Sequence, residues 1–401
     1  MRVLQIIHGY PPYYMAGSEV YTYNLSNELT KYAEVYVFTR MENPYENAYS
    51  HLDEVINEVK IRRINKPLRD YTLEDKYLDL KMDAALRKYI QRIHPDVVHI
   101  GHLSHLSTNI INVIKDEFDL PVIYTLHDFW LRCIRGQAIK ENLDLCPNPE
   151  HEMCYQCLRA KFKHCVTRER YMEYVNHMNR IIKKIDYFLS PSKYLMKYFI
   201  RNGVDESKIS YSKYGFDKNI IEYQKKHYSG DENISFGFMG RVIPVKGIKM
   251  MLEAFWNTKG ANLIIYGNSQ LDKSFLEKYA NENVHFKGCY NNWEIQTVLD
   301  DMDVLIVPSV WYENSPLVIQ EAFLAGVPVI TSDIGGMKEL VEDGNDGFLF
   351  NVGNSDSLRK VLQGIISNPT VLNELEIRPS KVRSIEDDAR SVMKLYEKVM
   401  K

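Results

Sequence analysis

The sequence predicts an α/β protein of two doubly wound, largely parallel sheets, and three observations carry that expectation. Short apolar runs of the buried-strand kind recur from residues 2–7 at the start to 304–307 near the end. Helix-length amphipathic segments separate most of them, which is the rhythm of parallel β-α-β units. With 401 residues the chain also exceeds what one hydrophobic core usually supports, so two domains are the default.

The first half opens with a strand over 2–7, a loop bearing Gly17, and a helix over about 18–32 whose Val20, Tyr23, Asn24, Leu25 and Leu29 are spaced for one packed face. That order is the opening of a doubly wound sheet. Strands follow at 34–39, near 59–64, at 96–100 and at 121–126, with a polar stretch after the first of these and an amphipathic helix over about 77–93. From about 132 to 184 the rhythm breaks: the segment is polar, cysteine-bearing and then basic, and reads as an insert plus long helices. Alternation resumes with a strand at 185–190, a helix at 192–202 and a strand at 209–214, before a linker made of Gly215-Phe216-Asp217 and the charged run 218–231. The second half begins with a strand at 234–240 and continues with a helix at 247–257, a strand at 261–266, a helix at 271–281 and a strand at 284–287. Two more strands, 304–307 and 327–331, flank a loop and a helix, and a helix near 356–367 follows. The helix 385–400 comes after a break at Pro379. The expected organisation is therefore a domain over 1–215, a second over 216–380, and a last helix over 381–401 crossing back to the first.

The net charge of −3 gives no general reason to expect nucleic-acid binding. No apolar run reaches a membrane-spanning length, and the apolar part of the N-terminus is too short for a signal peptide, so a cytoplasmic protein is expected. Five of the six cysteines lie between Cys133 and Cys165, which in a reducing compartment points to thiols or metal ligands rather than disulfides.

The stretch 304–350 holds the densest chemistry. Asn314 and Ser315 are good N-cap residues and Pro316 suits a first helical turn, so a helix is expected to start just after Glu313. A helix N-terminus at the carboxyl end of a parallel strand binds anions, because free N–H groups and the dipole both face the charge. Glu313 and Glu321 frame it with seven residues between them. Arg241 and Lys246 follow a strand end and a glycine, where a diphosphate would need counter-charge. Each alone is an ordinary surface cation.

Several linked motifs stand in order: PPYYMAGSEVY near the N-terminus, GRVIPVKGIKMMLEAF, the Glu313–Glu321 pair, and EAFLAGVPVITSDIGGMKELVEDGNDGFLF. Together they resemble retaining glycosyltransferase family 4, and the resemblance covers both halves. It implies the GT-B fold, two Rossmann-like domains facing a central cleft, and a UDP- or GDP-sugar as donor. It also implies that Arg241 and Lys246 hold the donor phosphates, that Glu313 faces the donor sugar hydroxyls, that Glu321 accepts the ribose hydroxyls, and that His127 in TLHDFW faces the sugar near its anomeric carbon. The backbone of Asn314, Ser315 and Leu317 should approach sugar and phosphate, Leu317 most usefully because Pro316 has no N–H. Gly17 allows close approach of the diphosphate, Gly288 and Tyr290 line the base pocket, and Asp128 fixes its loop rather than doing chemistry.

The implied reaction is sugar transfer with retention to a saccharide, lipid-linked or small-molecule acceptor, with closure of the two domains as part of it. A nucleotide-sugar 2-epimerase of the same fold and a non-catalytic sugar-nucleotide binding protein are the alternatives. The only Asp-x-Asp, Asp301-Met302-Asp303, runs into the amino end of a strand, so no catalytic metal is expected. Cys146, Cys154, Cys157 and Cys165 have seven, two and seven residues between them, compatible with a structural zinc for which His151, His164 and Cys133 are substitutes, or with plain reduced thiols. Arg159, Lys161, Lys163, Arg168, Arg170, Arg180, Lys183 and Lys184 could contact an anionic membrane at the inner face, or form a solvated helix face.

Overall fold

The computed structural model describes residues 1–67, 72–162, 165–279 and 282–401. Two compact units emerge: the first is 1–141, 146–216 and 383–401, and the second is 217–382 with 142–145.

The first unit is built on an eight-stranded sheet. Its strands are β1 (Arg2–Ile6), β2 (Glu34–Met41), β3 (His51–Ile56), β4 (Val59–Asn65), β5 (Val97–Ile100), β6 (Val122–Thr125), β7 (Tyr187–Ser190) and β8 (Ile209–Tyr211), in the order β3-β4-β2-β1-β5-β6-β7-β8. The central strands are continuous apolar runs, as a sheet covered on both faces requires: Val3, Leu4, Val97, Val98 and Val122 are fully buried. All pairings are parallel except β3 with β4. β4 lies where a strand is predicted, whereas β3 occupies what reads as a polar stretch in the sequence. The strands of this antiparallel hairpin are paired by charge, Asp53 accepting from the Nε and Nη2 atoms of Arg62 at 2.7 and 2.6 Å. Its turn is Asn57-Glu58, both at positive φ, so neither an apolar alternation nor an Asn-Gly turn announces it. The helix Leu80–Ile93 starts three residues later than periodicity predicts because Asp79 caps it, accepting from the Lys81 and Met82 amides at 3.0 Å.

A short strand β9 (Gly215–Phe216) follows β8. The second unit then carries a six-stranded, fully parallel sheet: β10 (Ile234–Met239), β11 (Ala261–Tyr266), β12 (Val284–Gly288), β13 (Val304–Val307), β14 (Val329–Ser332) and β15 (Gly347–Phe350), in the order β12-β11-β10-β13-β14-β15. Its core is Phe236, Leu263, Ile265, Val304 and Ile306 packed against Ile248, Met251 and Phe255 of the helix Ile248–Phe255. The helix between β11 and β12 is described over Lys273–Tyr279, and the last two residues of its predicted span lie outside the described residues. After β15 the chain returns to the first unit. There β16 (Arg383–Ser384) pairs with β9, and the helix Ile385–Val399 packs on the helix Gly17–Leu29.

Both sheets begin in the middle, grow to one side, and then restart on the other side of the first strand. The restart creates a switch point between β1 and β5 in one unit and between β10 and β13 in the other. In open α/β sheets, ligands gather outside the carboxyl ends of the strands at such points.

Candidate functional site

At the β10/β13 switch point two loops are locked together. The turn Pro244–Lys246 ends at Gly247, whose φ of 72° places it in the left-handed region, and a Cβ there would run into the Pro308 carbonyl just past β13. The Val310 amide also donates to the Val245 carbonyl at 3.0 Å. This brings Lys246 to Glu313. The Glu313 Oε1 atom accepts from the Lys246 ammonium at 2.5 Å, from the Ser309 hydroxyl at 2.8 Å and from the Trp311 indole at 3.0 Å. The family resemblance assigns Lys246 to phosphate and Glu313 to sugar; in the structure each holds the other. Arg241, by contrast, is exposed.

The helix N-terminus differs from expectation. The helix is Leu317–Ala325, Pro316 stands at the N-cap with an extended ψ of 121°, and no side chain caps it. Asn314 and Ser315 are buried in the approach instead of capping. The reason is the Gly335-Gly336 turn: the Gly336 amide donates to the Glu313 carbonyl at 2.8 Å, and a Cβ on Gly336 would collide with the Asn314 carbonyl. That packing fixes the backbone of Glu313 and Asn314 ahead of the helix, which opens at Leu317, whose N–H is among those the helix cannot satisfy itself. Glu321 lies one turn further along, part-buried, and burial pushes its carboxyl up to about 7. Tyr290 is beside it, its phenol pushed up by burial and then by the Glu321 charge, with Gly288 at the end of β12. Asp303 is a structural group: it accepts from Lys226, the Tyr228 hydroxyl and the Ser235 amide, while Asp301 takes the Tyr266 hydroxyl.

In the first unit the β1/β5 switch point gathers a different cluster. His127 follows β6, its Nδ1 is 2.6 Å from the Tyr214 hydroxyl, and Nε2 is buried without a hydrogen-bond partner. Burial first, and then the neighbouring His102, depress its pKa to about 3, so the ring is neutral. His102 meets Asp128 at 3.2 Å and packs at a tilt against His8, with ring centroids 4.5 Å apart; His8 in turn lies 3.3 Å from Glu19. Asp128 also accepts the Trp130 amide at 2.8 Å, which fixes the loop after β6. Gly17 is exposed and is the first residue of its helix. Sequence reasoning passed over His8, Glu19, His102 and Tyr214, and likewise Ser309 and Trp311. The available signal was position, since His8 and His102 follow the two strands flanking the switch point.

Four of the clustered cysteines, Cys133, Cys146, Cys154 and Cys157, line one cavity of ≈ 240 Å³ together with His151. Cys165 is exposed and is not on its wall, and His164 lies outside the described residues. Among the described residues no three His, Cys, Asp or Glu side chains are grouped so as to hold a metal ion. Of the basic residues, Arg168 pairs with Glu152, Arg170 with Glu74 and Lys184 with Asp116, which uses up much of that charge within the unit; Lys163 lies outside the described residues. No helix among the described residues is long and apolar enough to cross a membrane.

Two family models match the chain, one described as Glycosyltransferase Family 4 over residues 15–218 and one as Glycosyl transferases group 1 over 219–381. An uncharacterized 41.2 kDa protein in the cps region of Klebsiella pneumoniae is 30% identical over 46% of this chain and 54% of its own, so the chain spans about half the length of that relative. The UDP-Gal:alpha-D-GlcNAc-diphosphoundecaprenol alpha-1,3-galactosyltransferase of Escherichia coli is 26% identical over 74% of this chain and 72% of its own. Among solved structures, Anabaena Alr3699/HepE in complex with UDP and glucose shares the GT-B fold, with a TM-score of 0.67 and 16% identity over 98% of this chain and 99% of that one.

Proposed function

The chain belongs to glycosyltransferase family 4, and from that premise we propose that it moves a sugar from a UDP- or GDP-sugar to a saccharide, lipid-linked or small-molecule acceptor with retention of anomeric configuration. The observation that carries this reading is the Lys246–Glu313 pair at the β10/β13 switch point, just ahead of the helix that opens at Leu317. An arriving diphosphate draws the Lys246 ammonium from Glu313, takes the exposed Arg241 guanidinium as a second cation, and receives the Leu317 amide as an uncharged donor. Glu313, still held by Ser309 and Trp311, then accepts hydroxyls of the donor sugar, with the backbone of Asn314 and Ser315 alongside. Glu321 takes the ribose, and Gly288 and Tyr290 line the base.

In the transfer, the bond from the anomeric carbon to the leaving phosphate oxygen breaks and its electron pair goes to the diphosphate. The acceptor oxygen bonds the same face of that carbon, and the departing oxygen takes the acceptor proton. Lys246 and Arg241 stabilise the charge as it develops on the diphosphate. His127 offers its neutral ring to the sugar through Nε2, since Nδ1 is engaged by Tyr214, and Gly17 contributes backbone to the diphosphate. The Escherichia coli relative is named for a UDP-sugar and an undecaprenol-linked acceptor, and the Anabaena neighbour is described with UDP and glucose, which supports a donor of this class. An acceptor carried by a lipid would bring the protein to the inner face of a membrane, with exposed Arg180 and Lys183 available to anionic lipid.

Following nucleoside diphosphate release over a donor panel, with and without a glycan or lipid-linked acceptor, tests the reading. Acceptor-dependent release is expected; isomerised donor would make the protein a 2-epimerase, and affinity without turnover a binding protein. The Glu321 assignment makes a separate prediction. Its carboxyl pKa is raised to about 7, so ionisation, and with it the capacity to accept two ribose hydroxyls, arrives as pH rises through 7. Affinity for intact donor should therefore increase between pH 6 and 8 in the wild type. In Glu321→Ala it should be about 10–100-fold weaker and flat over that range, as loss of a charge-assisted pair of hydrogen bonds implies. Equal calorimetric affinity in the two proteins would count against the assignment.

A further inference from the structure

His127 owes its place to residues far from it in the chain. The Tyr214 hydroxyl meets its Nδ1 at 2.6 Å, and Tyr21 packs edge-on against the same ring with centroids 5.6 Å apart. The two tyrosines also pack on each other, centroids 4.3 Å apart, so His127 rests against an aromatic pair. Neither belongs to a strand: Tyr21 is in the helix Gly17–Leu29, and Tyr214 lies between β8 and β9.

The returning end of the chain holds both. Asp388 is fully buried in the helix Ile385–Val399. Its Oδ2 accepts from the Tyr21 hydroxyl at 3.0 Å and from the Gly215 amide, the N–H just after Tyr214, at 2.9 Å. A Cβ on Gly215 would meet the Asp388 Cβ at 2.6 Å and the Ile385 Cα at 2.7 Å, so the close approach depends on glycine. Before Tyr214, Arg383 donates to the Ser212 hydroxyl at 3.0 Å and to the Lys213 carbonyl at 3.1 Å, and it stands 3.2 Å from Asp388 Oδ1. Residues 212–215 are thus pinned on both sides of Tyr214.

Covering the first unit does not require this carboxylate. Ile385, Ala389 and Val392 supply the buried apolar face of the helix, and an acid among them is costly. Burial pushes its carboxyl pKa up, against Arg383, the Gly215 amide and the Tyr21 hydroxyl. What the acid adds is direction, because it fixes the hydroxyl of one tyrosine and the backbone beside the other.

Resting on the reading above, in which His127 faces the donor sugar, we propose that Asp388 is a positioning residue for the transfer: through Tyr21 and the Gly215 amide it holds the aromatic pair that orients the His127 ring. The helix Ile385–Val399 thereby serves turnover as well as stability.

The test is steady-state kinetics at varied donor concentration, with melting temperatures and the ring-nitrogen NMR signals of protein labelled at histidine alongside. The His127 signals are those missing in His127→Ala. In Asp388→Ala, kcat is expected to fall about 10-fold, with donor KM within about twofold of wild type and the His127 signals displaced. Asp388→Asn keeps an oxygen that accepts hydrogen bonds and should recover most of that loss. Tyr21→Phe keeps the ring, loses only the hydroxyl, and should slow turnover and displace the His127 signals in the same way. In a His127→Ala background Asp388→Ala should cost no further turnover, because its effect runs through that ring. Tyr396→Phe removes contacts of the same helix to Gln5 and His99, and should lower the melting temperature while leaving kcat and the His127 signals in place. Should Asp388→Ala not fold, Tyr21→Phe decides. Additive losses in the double variant, unmoved His127 signals in Tyr21→Phe, or a donor KM that rises as much as kcat falls overturns the proposal. A wild type that turns over no donor overturns the transferase reading instead, and the ring signals then still decide whether Asp388 positions His127.

Discussion

Replacing Lys246 by Ala is expected to lower kcat/KM by about 10²–10³-fold, the usual cost of removing one preorganised charge from the site where a transition state becomes negative. Lys246 is placed for this by fold rather than by sequence proximity: it and Glu313 are 67 residues apart and meet only because β10 and β13 are neighbours. The loss should fall mainly on kcat, since charge on the leaving oxygen grows as the bond breaks. One complication is built into the site. Glu313 is 7% exposed, and removing its cation leaves a buried carboxylate without a counter-ion, which could reduce stability on its own. The double variant Lys246→Met, Glu313→Gln removes both charges and should recover the melting temperature without recovering turnover. Recovery of activity along with stability would show that the pair is structural.

His127→Ala should lower turnover by about 10²-fold while changing donor affinity much less, because one hydrogen bond formed at the reacting sugar is lost and the phosphate and ribose contacts remain. The ring is not expected to act as an acid. With its pKa depressed to about 3, it is neutral at any pH at which the protein would work. A pH–rate profile between 5 and 8 should therefore contain no limb that disappears in His127→Ala. Tyr214→Phe removes the contact that orients Nδ1 and should show a smaller loss in kcat with an unchanged pH profile, as a positioning residue would. If His127→Ala weakened donor binding as strongly as it slowed turnover, the residue would belong to the donor pocket.

The strands were legible because a buried parallel strand is a short apolar run, and β1, β10 and β13 are such runs with almost nothing else in them. So was β4, through Val59, Ile61 and Ile64, but its edge partner β3 was not, because salt bridges and a two-residue turn at positive φ hold it rather than an apolar face. Site residues divide along a similar line. Glu313, Glu321, Arg241 and Lys246 stood out in motifs local to the chain. The His8–His102–Asp128 group and the Lys246–Glu313 contact are products of strand order, which brings together positions that have no local pattern. The helix starts later than propensity implies: Asn314 and Ser315 look like caps, but the Gly335-Gly336 turn packs on the backbone of Glu313 and Asn314, and Pro316 takes the N-cap instead. Among the cysteines, regular spacing pointed to Cys165, while the turn at Phe129–Cys133 carries Cys133 to the cavity instead.

The return of residues 383–401 to the first unit imposes an order on assembly during translation. Residues 217–382 contain every strand of their sheet in one continuous run, so that unit can finish folding as it leaves the ribosome. The first unit is made earlier but is completed later. Its core waits for the helix whose Tyr396 hydroxyl meets Gln5 at 3.1 Å and His99 at 2.7 Å, and whose Asp388 accepts from Tyr21 at 3.0 Å. A chain released before Arg383 would thus have a complete second unit and a first that is still open, exposing to chaperones and proteases the face that the final helix covers.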